Sequence, residues 1–258
     1  GLTLSGSAAG NYALTQPAGL TANITAKTVT VAAGVTANNK VYDGTTTATL
    51  HTGSVILSGG NVVLSGVVAG DMANVQLSTN GYTATFFSAA VANDKAVTVS
   101  GLTLTGTAAG NYTLTQPAYL TANISAKALT VTADNQSKVY GQTLAFGSGS
   151  TEFASSGLQN GETIGSVTLA CSGGDATAAV VDSPYAITPS AATGGTFDAN
   201  NYTVNYTSGM LTVTKASQTI TFGPLAAVTN RAAPFALTAT ASSGLPVSYA
   251  SSITNVAS

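Results

Sequence analysis

The chain has 258 residues, with 7 Lys and Arg against 9 Asp and Glu, for a net charge of −2. Only 6% of its residues are charged while 44% are hydrophobic, which excludes the dense basic face of a nucleic-acid binder and favours folding over disorder. A single cysteine, Cys171, excludes a disulfide-stapled scaffold, and no apolar run reaches the roughly 18 residues of a membrane-spanning helix.

Residues 1–27 (GLTLSGSAAGNYALTQPAGLTANITAK) return at 101–127 with five substitutions: Ser5/Thr105, Ser7/Thr107, Ala13/Thr113, Gly19/Tyr119 and Thr25/Ser125. An offset of 100 residues means duplication of a whole domain, because solenoid coils repeat every 20–50 residues or so. Residues 1–27 therefore read as the closing part of a preceding module, 28–127 and 128–215 as complete modules, and 216–258 as the opening part of a further repeat.

The pattern after residue 27 has period two. Thr28–Val29–Thr30–Val31, Ala96–Val97–Thr98–Val99, Gly101–Leu102–Thr103–Leu104, Leu129–Thr130–Val131–Thr132 and Leu211–Thr212–Val213–Thr214 alternate small or aliphatic residues with Thr. Such runs predict strands with one buried and one wet face. Turn chemistry separates them at Asp43-Gly44, Ser58-Gly59-Gly60, Asn80-Gly81, Ala109-Gly110-Asn111, Asn160-Gly161 and Ser172-Gly173-Gly174. Asn80-Gly81 predicts a two-residue hairpin joining Val75–Ser78 to Tyr82–Phe87. Asp71 is read as the N-cap of a short turn over 71–75. In 152–159, Phe153 and Leu158 are too far apart for one strand face, so a helical turn or compact loop is expected there. The fold class is all-β, with one short helical turn per module. Each module ends in a strand closed by a lysine (Ala26-Lys27, Ala126-Lys127 and Thr214-Lys215), and the next strand begins at once, at Thr28, Ala128 and Ala216. Without a Gly/Ser- or Pro-rich spacer, the modules are expected to join end to end as an elongated rod.

Two marks carry a family resemblance. Asn39-Lys40-Val41-Tyr42-Asp43-Gly44-Thr45 lies near the start of the first module, and Lys138-Val139-Tyr140-Gly141 holds that place in the second. Toward the module ends stand Ala109-Gly110-Asn111-Tyr112-Thr113 and Ala199-Asn200-Asn201-Tyr202-Thr203. The first module resembles the YDG domains of large bacterial surface proteins. The second resembles the related MBG domains of the Tyr-Gly type, which also accounts for Leu158-Gln159-Asn160-Gly161-Glu162 and Ser183-Pro184-Tyr185-Ala186-Ile187. Residues 217–258 are similar to the first half of an Ig-like repeat. The resemblance implies mostly-β modules, sandwich- or β-grasp-like, repeated as the stalk of secreted adhesins and haemagglutinin-like proteins. It implies an extracellular, cell-surface location and, as partners, neighbouring modules of a longer chain or other copies in a filament. It defines no binding site.

The Lys-Val-Tyr marks have a structural reading, in which Val41 and Val139 point inward. Tyr42 and Tyr140 then pack across a tight turn that Gly44 or Gly141 permits. The chemical alternative is an intramolecular isopeptide bond, Lys40 to Asn111 and Lys138 to Asn201. Asp43 would be the buried acid in the first module; Gly141 stands at its place in the second, so a shared mechanism lacks its acid there. Calcium at a module junction is a further possibility. However, Asp71, Asp94, Asp134, Asp175, Asp182 and Asp198 are scattered singly, whereas hard cations need clustered oxygens. His51 has no companion ligand and reads as a strand-surface residue. Ser is abundant but stands in no Gly-x-Ser-x-Gly elbow, and Cys171 has no neighbouring His. Nothing points to an enzyme or a bound cofactor. The functional expectation is a non-catalytic stalk or filament segment; the alternative is an adhesin module that itself binds glycan or matrix.

Overall fold

A computed structural model describes residues 1–52, 62–229 and 232–250. The Ser58-Gly59-Gly60 turn and the tail of the last segment lie outside the described residues. The chain divides between Lys127 and Ala128 into two compact units, taken separately below.

The first unit contains strands β1 (Lys27–Ala33), β2 (Val35–Ala37), β3 (Lys40–Val41), β4 (Leu50–Thr52), β5 (Val63–Ser65), β6 (Gln76–Ser78), β7 (Thr83–Phe86), β8 (Ala92–Ser100), β9 (Thr103–Thr105), β10 (Tyr112–Thr115) and β11 (Leu120–Ser125). They form a three-stranded sheet, β10-β1-β5, and a four-stranded sheet, β3-β11-β8-β7, with the pairs β2-β4 and β6-β9 beside them. The Thr/aliphatic alternation decides which side chains go inside. Val29, Ala84, Phe86, Val97, Val99, Ala122 and Ile124 are buried, while their Thr and Ser neighbours face outward. Val29, Val75, Ala108 and Tyr112 form one buried cluster, with Leu64, Val67, Leu104 and Leu114 packed against it.

The second unit contains β12 (Lys127–Ala133), β13 (Gln136–Val139), β14 (Phe153–Ser156), β15 (Ile164–Ala170), β16 (Tyr185–Gly195), β17 (Tyr202–Thr207) and β18 (Gly209–Thr214), then a short hairpin of β19 (Ile220–Phe222) and β20 (Ala239–Ala241). Its sheets are β14-β12-β17 and β13-β18-β16-β15. Replacing each strand by its counterpart (β1 by β12, β3 by β13, β5 by β14, β7 by β15, β8 by β16, β10 by β17, β11 by β18) converts the first pair of sheets into the second. Register agrees as well. Lys40 lies opposite Ile124 and Val41 opposite Ser125, as Lys138 lies opposite Val213 and Val139 opposite Thr214. Both modules are thus sandwich-like and all-β, of one topology. Among the described residues the helical content is single 3-10 turns at Ala9–Asn11, Ala69–Asp71, Ala109–Asn111 and Ala199–Asn201. No helix there is long and apolar enough to cross a membrane.

Three local expectations are corrected. The turn at Asn80-Gly81 exists, with Gly81 at φ +76°, but its flanks do not pair with each other. β6 pairs with β9 and β7 with β8, so both lie along one ribbon that the turn merely follows. The stretch expected to be a loop contains a strand: β14 pairs antiparallel with β12, Phe153 opposite Ala133 and Ser156 opposite Thr130. As an edge strand it is held by its backbone ladder and needs no apolar alternation. A turn does follow Asp71, closed by Asn74 N–H on Asp71 O at 2.7 Å, but Asp71 also ends the 3-10 turn Ala69–Asp71 and its carboxylate accepts from Tyr112 Oη.

Candidate functional site

The two sequence marks build the same pair of polar devices in both modules. The first is a lysine held by oxygens. Lys40, on β3, has a side chain only 17% exposed and donates to Asp43 Oδ1 at 2.7 Å, Thr45 O at 2.7 Å, Thr45 Oγ1 at 3.2 Å and Thr47 O at 3.0 Å. Its Nζ also lies 5.5 Å from the centroid of the Phe86 ring. Lys138, on β13, is only 5% exposed and donates to the carbonyls of Gln142 (3.0 Å), Gly174 (3.2 Å) and Asp175. A buried ammonium is tolerated only where such acceptors replace its water.

These contacts overturn the expected orientation of the motif. In a strand, neighbours face opposite sides, and here the lysine takes the inner side. Val41 and Val139 are therefore turned outward and exposed. Tyr42 is buried as expected, but Tyr140 is exposed. Both tyrosines donate their backbone N–H to the closing strand, to Ser125 O and Thr214 O, each at 2.9 Å. Gly44 (φ +75°) and Gly141 (φ +90°) do occupy left-handed positions.

Electrostatics differ between the two niches. Partial burial alone would raise the Asp43 carboxyl. The bonds from the Lys40 ammonium and from the N–H and hydroxyl of Thr45, with the Lys40 charge, outweigh burial and hold it below its ordinary value. The second niche has backbone carbonyls where the first has Asp43.

The second device is a tyrosine bridge. Tyr112 Oη accepts the N–H of Val68 at 3.1 Å and donates to Asp71 Oδ2 at 2.7 Å. Tyr202 Oη accepts the N–H of Gln159 at 2.9 Å and donates to Glu162 Oε2. Each tyrosine thereby ties the last part of its module to a turn some forty residues earlier, where Asp71 N–H and Glu162 N–H close back on Val68 O and Gln159 O. The Asp71 bond, helped by burial, pushes the Tyr112 phenol above its ordinary value, with the Val68 N–H acting the other way.

A glycine starts each of these turns because the chain crosses the first strand there. A Cβ on Gly66 (φ +100°) would stand 2.8 Å from Thr28 O, and one on Gly157 (φ +116°) would stand 2.6 Å from Ala128 O. Lining up the modules shows the shared signature, Ser65-Gly66-Val67-Val68-Ala69-Gly70-Asp71 against Ser156-Gly157-Leu158-Gln159-Asn160-Gly161-Glu162. This spacing, with Ser-Gly, three residues, Gly and an acid, was legible in the sequence but was not singled out there.

The remaining candidates are placed as follows. The structure joins Lys40 to Asp43. Asn111 lies exposed on the 3-10 turn leading into β10, and Asn201 lies buried on the turn leading into β17, strands of the sheets that do not contain Lys40 or Lys138. The oxygens around Lys40 come from Asp43, Thr45 and Thr47. His51 is exposed on β4, opposite Thr36, and Cys171 is a partly buried free thiol. Among the described residues no three His, Cys, Asp or Glu side chains gather as a metal site would require.

Two tandem sandwich-like modules, each closed by a lysine niche and a tyrosine bridge, define the class of this protein. Residues 25–119 match the YDG domain family and residues 129–212 match the MBG domain family, YGX type. The chain carries a YDG domain followed by an MBG domain. Neither the curated proteins nor the solved structures compared with it gave a match.

Proposed function

We propose that this chain is a non-catalytic structural segment of a secreted bacterial surface protein, its modules serving as units of a stalk or filament that supports adhesion or extracellular matrix assembly. One observation carries the reading. With only 7 basic and 9 acidic residues in the chain, Lys40, Asp43, Asp71, Lys138 and Glu162 are all engaged in closing their own modules. Two modules of different families use the same strand order and the same internal ties. That is what selection for a durable spacer would preserve, since a fold alone fixes no activity. The test is binding of the chain to glycan and matrix-protein arrays, together with removal of 28–215 from the surface-displayed parent. The proposal expects silent arrays and a parent that keeps its ligand but loses reach. Specific binding by the chain itself would overturn it.

A second reading, ligand recognition by the YDG module, is favoured by Phe87 and Tyr119, which are 89% and 100% exposed. Ser172 and Ser208 hold the corresponding places in the MBG module. Array binding that disappears in Phe87→Ala/Tyr119→Ala would establish this reading.

A further inference from the structure

We infer that each module is a tension clamp, in which a pull along the chain loads the first and last strands in shear. Its biological use rests on the stalk reading; its geometry does not. In the YDG module β1 lies parallel to β10, with Lys27, Thr28, Val29 and Thr30 opposite Tyr112, Thr113, Leu114 and Thr115. Farther along, β3 lies parallel to the closing strand β11, Lys40 opposite Ile124 and Val41 opposite Ser125. Force applied at the two ends of the module draws β1 back toward its start and β11 forward toward its end. Because β10 leads directly into β11, both parallel pairs must slide, and their hydrogen bonds resist together. A terminal antiparallel hairpin would instead open one bond at a time.

The MBG module repeats the arrangement. β13 lies parallel to its closing strand β18 over four consecutive pairs, Gln136–Val139 opposite Leu211–Thr214, and β12 lies beside β17. Side chains add ties across the sheared pair: Thr214 Oγ1 donates to Lys138 O at 3.2 Å, as Ser125 Oγ does to Lys40 O at 3.4 Å. The lysines differ in reach. Among the described residues Lys40 hydrogen-bonds to positions three to seven away and meets a distant residue only at the face of the Phe86 ring, whereas Lys138 hydrogen-bonds to Gly174 and Asp175, 36 and 37 positions away. β13 therefore cannot slide without drawing its ammonium out of a carbonyl cage formed by a distant loop. With its longer β13–β18 ladder and this pin, the MBG module is the stronger of the two.

The test is single-molecule force spectroscopy on the full chain in a Cys171→Ser background. Held by its termini, the chain should show two high-force events, the MBG event the higher. The same chain carrying Thr83→Cys and Ser100→Cys, held at those two residues, loads the directly paired ends of antiparallel β7 and β8. It should yield at a several-fold lower force. Lys138→Met should lower the MBG event toward the YDG event and leave the latter unchanged. A YDG event no stronger end to end than across β7–β8 would overturn the clamp while leaving the stalk reading intact. An unchanged MBG event in Lys138→Met would overturn the role given to the lysine. High forces in a chain that also binds array ligands would retire the stalk reading and keep the clamp.

Discussion

Residues 1–27 and 101–127 are the same segment at 22 of 27 positions, yet one is built into a sandwich and the other is not. The second copy supplies β9, β10 and β11; in the first no strand forms before Lys27, and no residue of 1–27 is buried. Ile124 is 1% exposed and Ile24 fully exposed; Tyr112 is 8% exposed and Tyr12 72%. What survives in both copies is local. The 3-10 turn closes identically, with Asn11 N–H to Ala8 O and Asn111 N–H to Ala108 O, both at 3.1 Å. Gln16 clasps the backbone of Leu2 as Gln116 clasps that of Leu102. The comparison separates two kinds of information. Turns and side-chain clasps form in both copies, whereas the strands of the second copy form against β1, β3, β6 and β8.

The sharpest way to break this comparison is to cut the same side chain in both copies. Ile124→Ala should lower the stability of the YDG module by about 2–5 kcal/mol. Ile24→Ala should change it by less than about 0.5 kcal/mol, both read from chemical denaturation. Nearly as large is the backbone pair. A Cβ on Gly106 would meet Asn74 O at 2.2 Å, while one on Gly6 would meet nothing within 4 Å, at almost the same φ (+108° and +110°). Both substitutions meet left-handed strain, but only Gly106→Ala adds the backbone clash, so it should cost about 3 kcal/mol and clearly more than Gly6→Ala. Equal costs would mean that the two copies occupy equivalent surroundings.

The tyrosines give a pH-dependent version. Tyr112 has its folded-state value raised by Asp71. Its contribution is complete below the unfolded value of about 10 and is lost as pH rises through the higher folded value. Denaturation across the alkaline range should show this loss in the YDG module, and Tyr112→Phe should remove it. The smallest effect concerns a position where both copies take a left-handed backbone but only one carries a side chain. Tyr119 is held at φ +62° where its copy has Gly19 at φ +78°. Tyr119→Gly should raise the melting point by relieving up to about 1 kcal/mol of left-handed strain.

The same division explains what could be read in advance. Thr/aliphatic alternation located β1, β8, β12 and β18 because their inner faces are buried. It failed at Phe153–Ser156, where an exposed edge strand needs only backbone partners. It also misassigned the flanks of Asn80-Gly81, since turn chemistry fixes where a chain bends but not which ribbon its flanks join. The inward lysines were hidden because Lys next to Val looks like the wet residue of the pair. Their destination depends on carbonyls of Gly174 and Asp175, far away in sequence. The tyrosine bridge was half visible: Tyr112 and Tyr202 stood out, but their acids emerge only when one module is laid over the other.

Amide hydrogen exchange on the intact chain tests the central claim most directly, because intrinsic rates in the two copies are nearly equal. The ladder-bonded amides of β10 and β11 should exchange only through global opening of the YDG module, while those of residues 12–25 exchange at close to unfolded-chain rates. Comparable protection in the two copies would contradict the account.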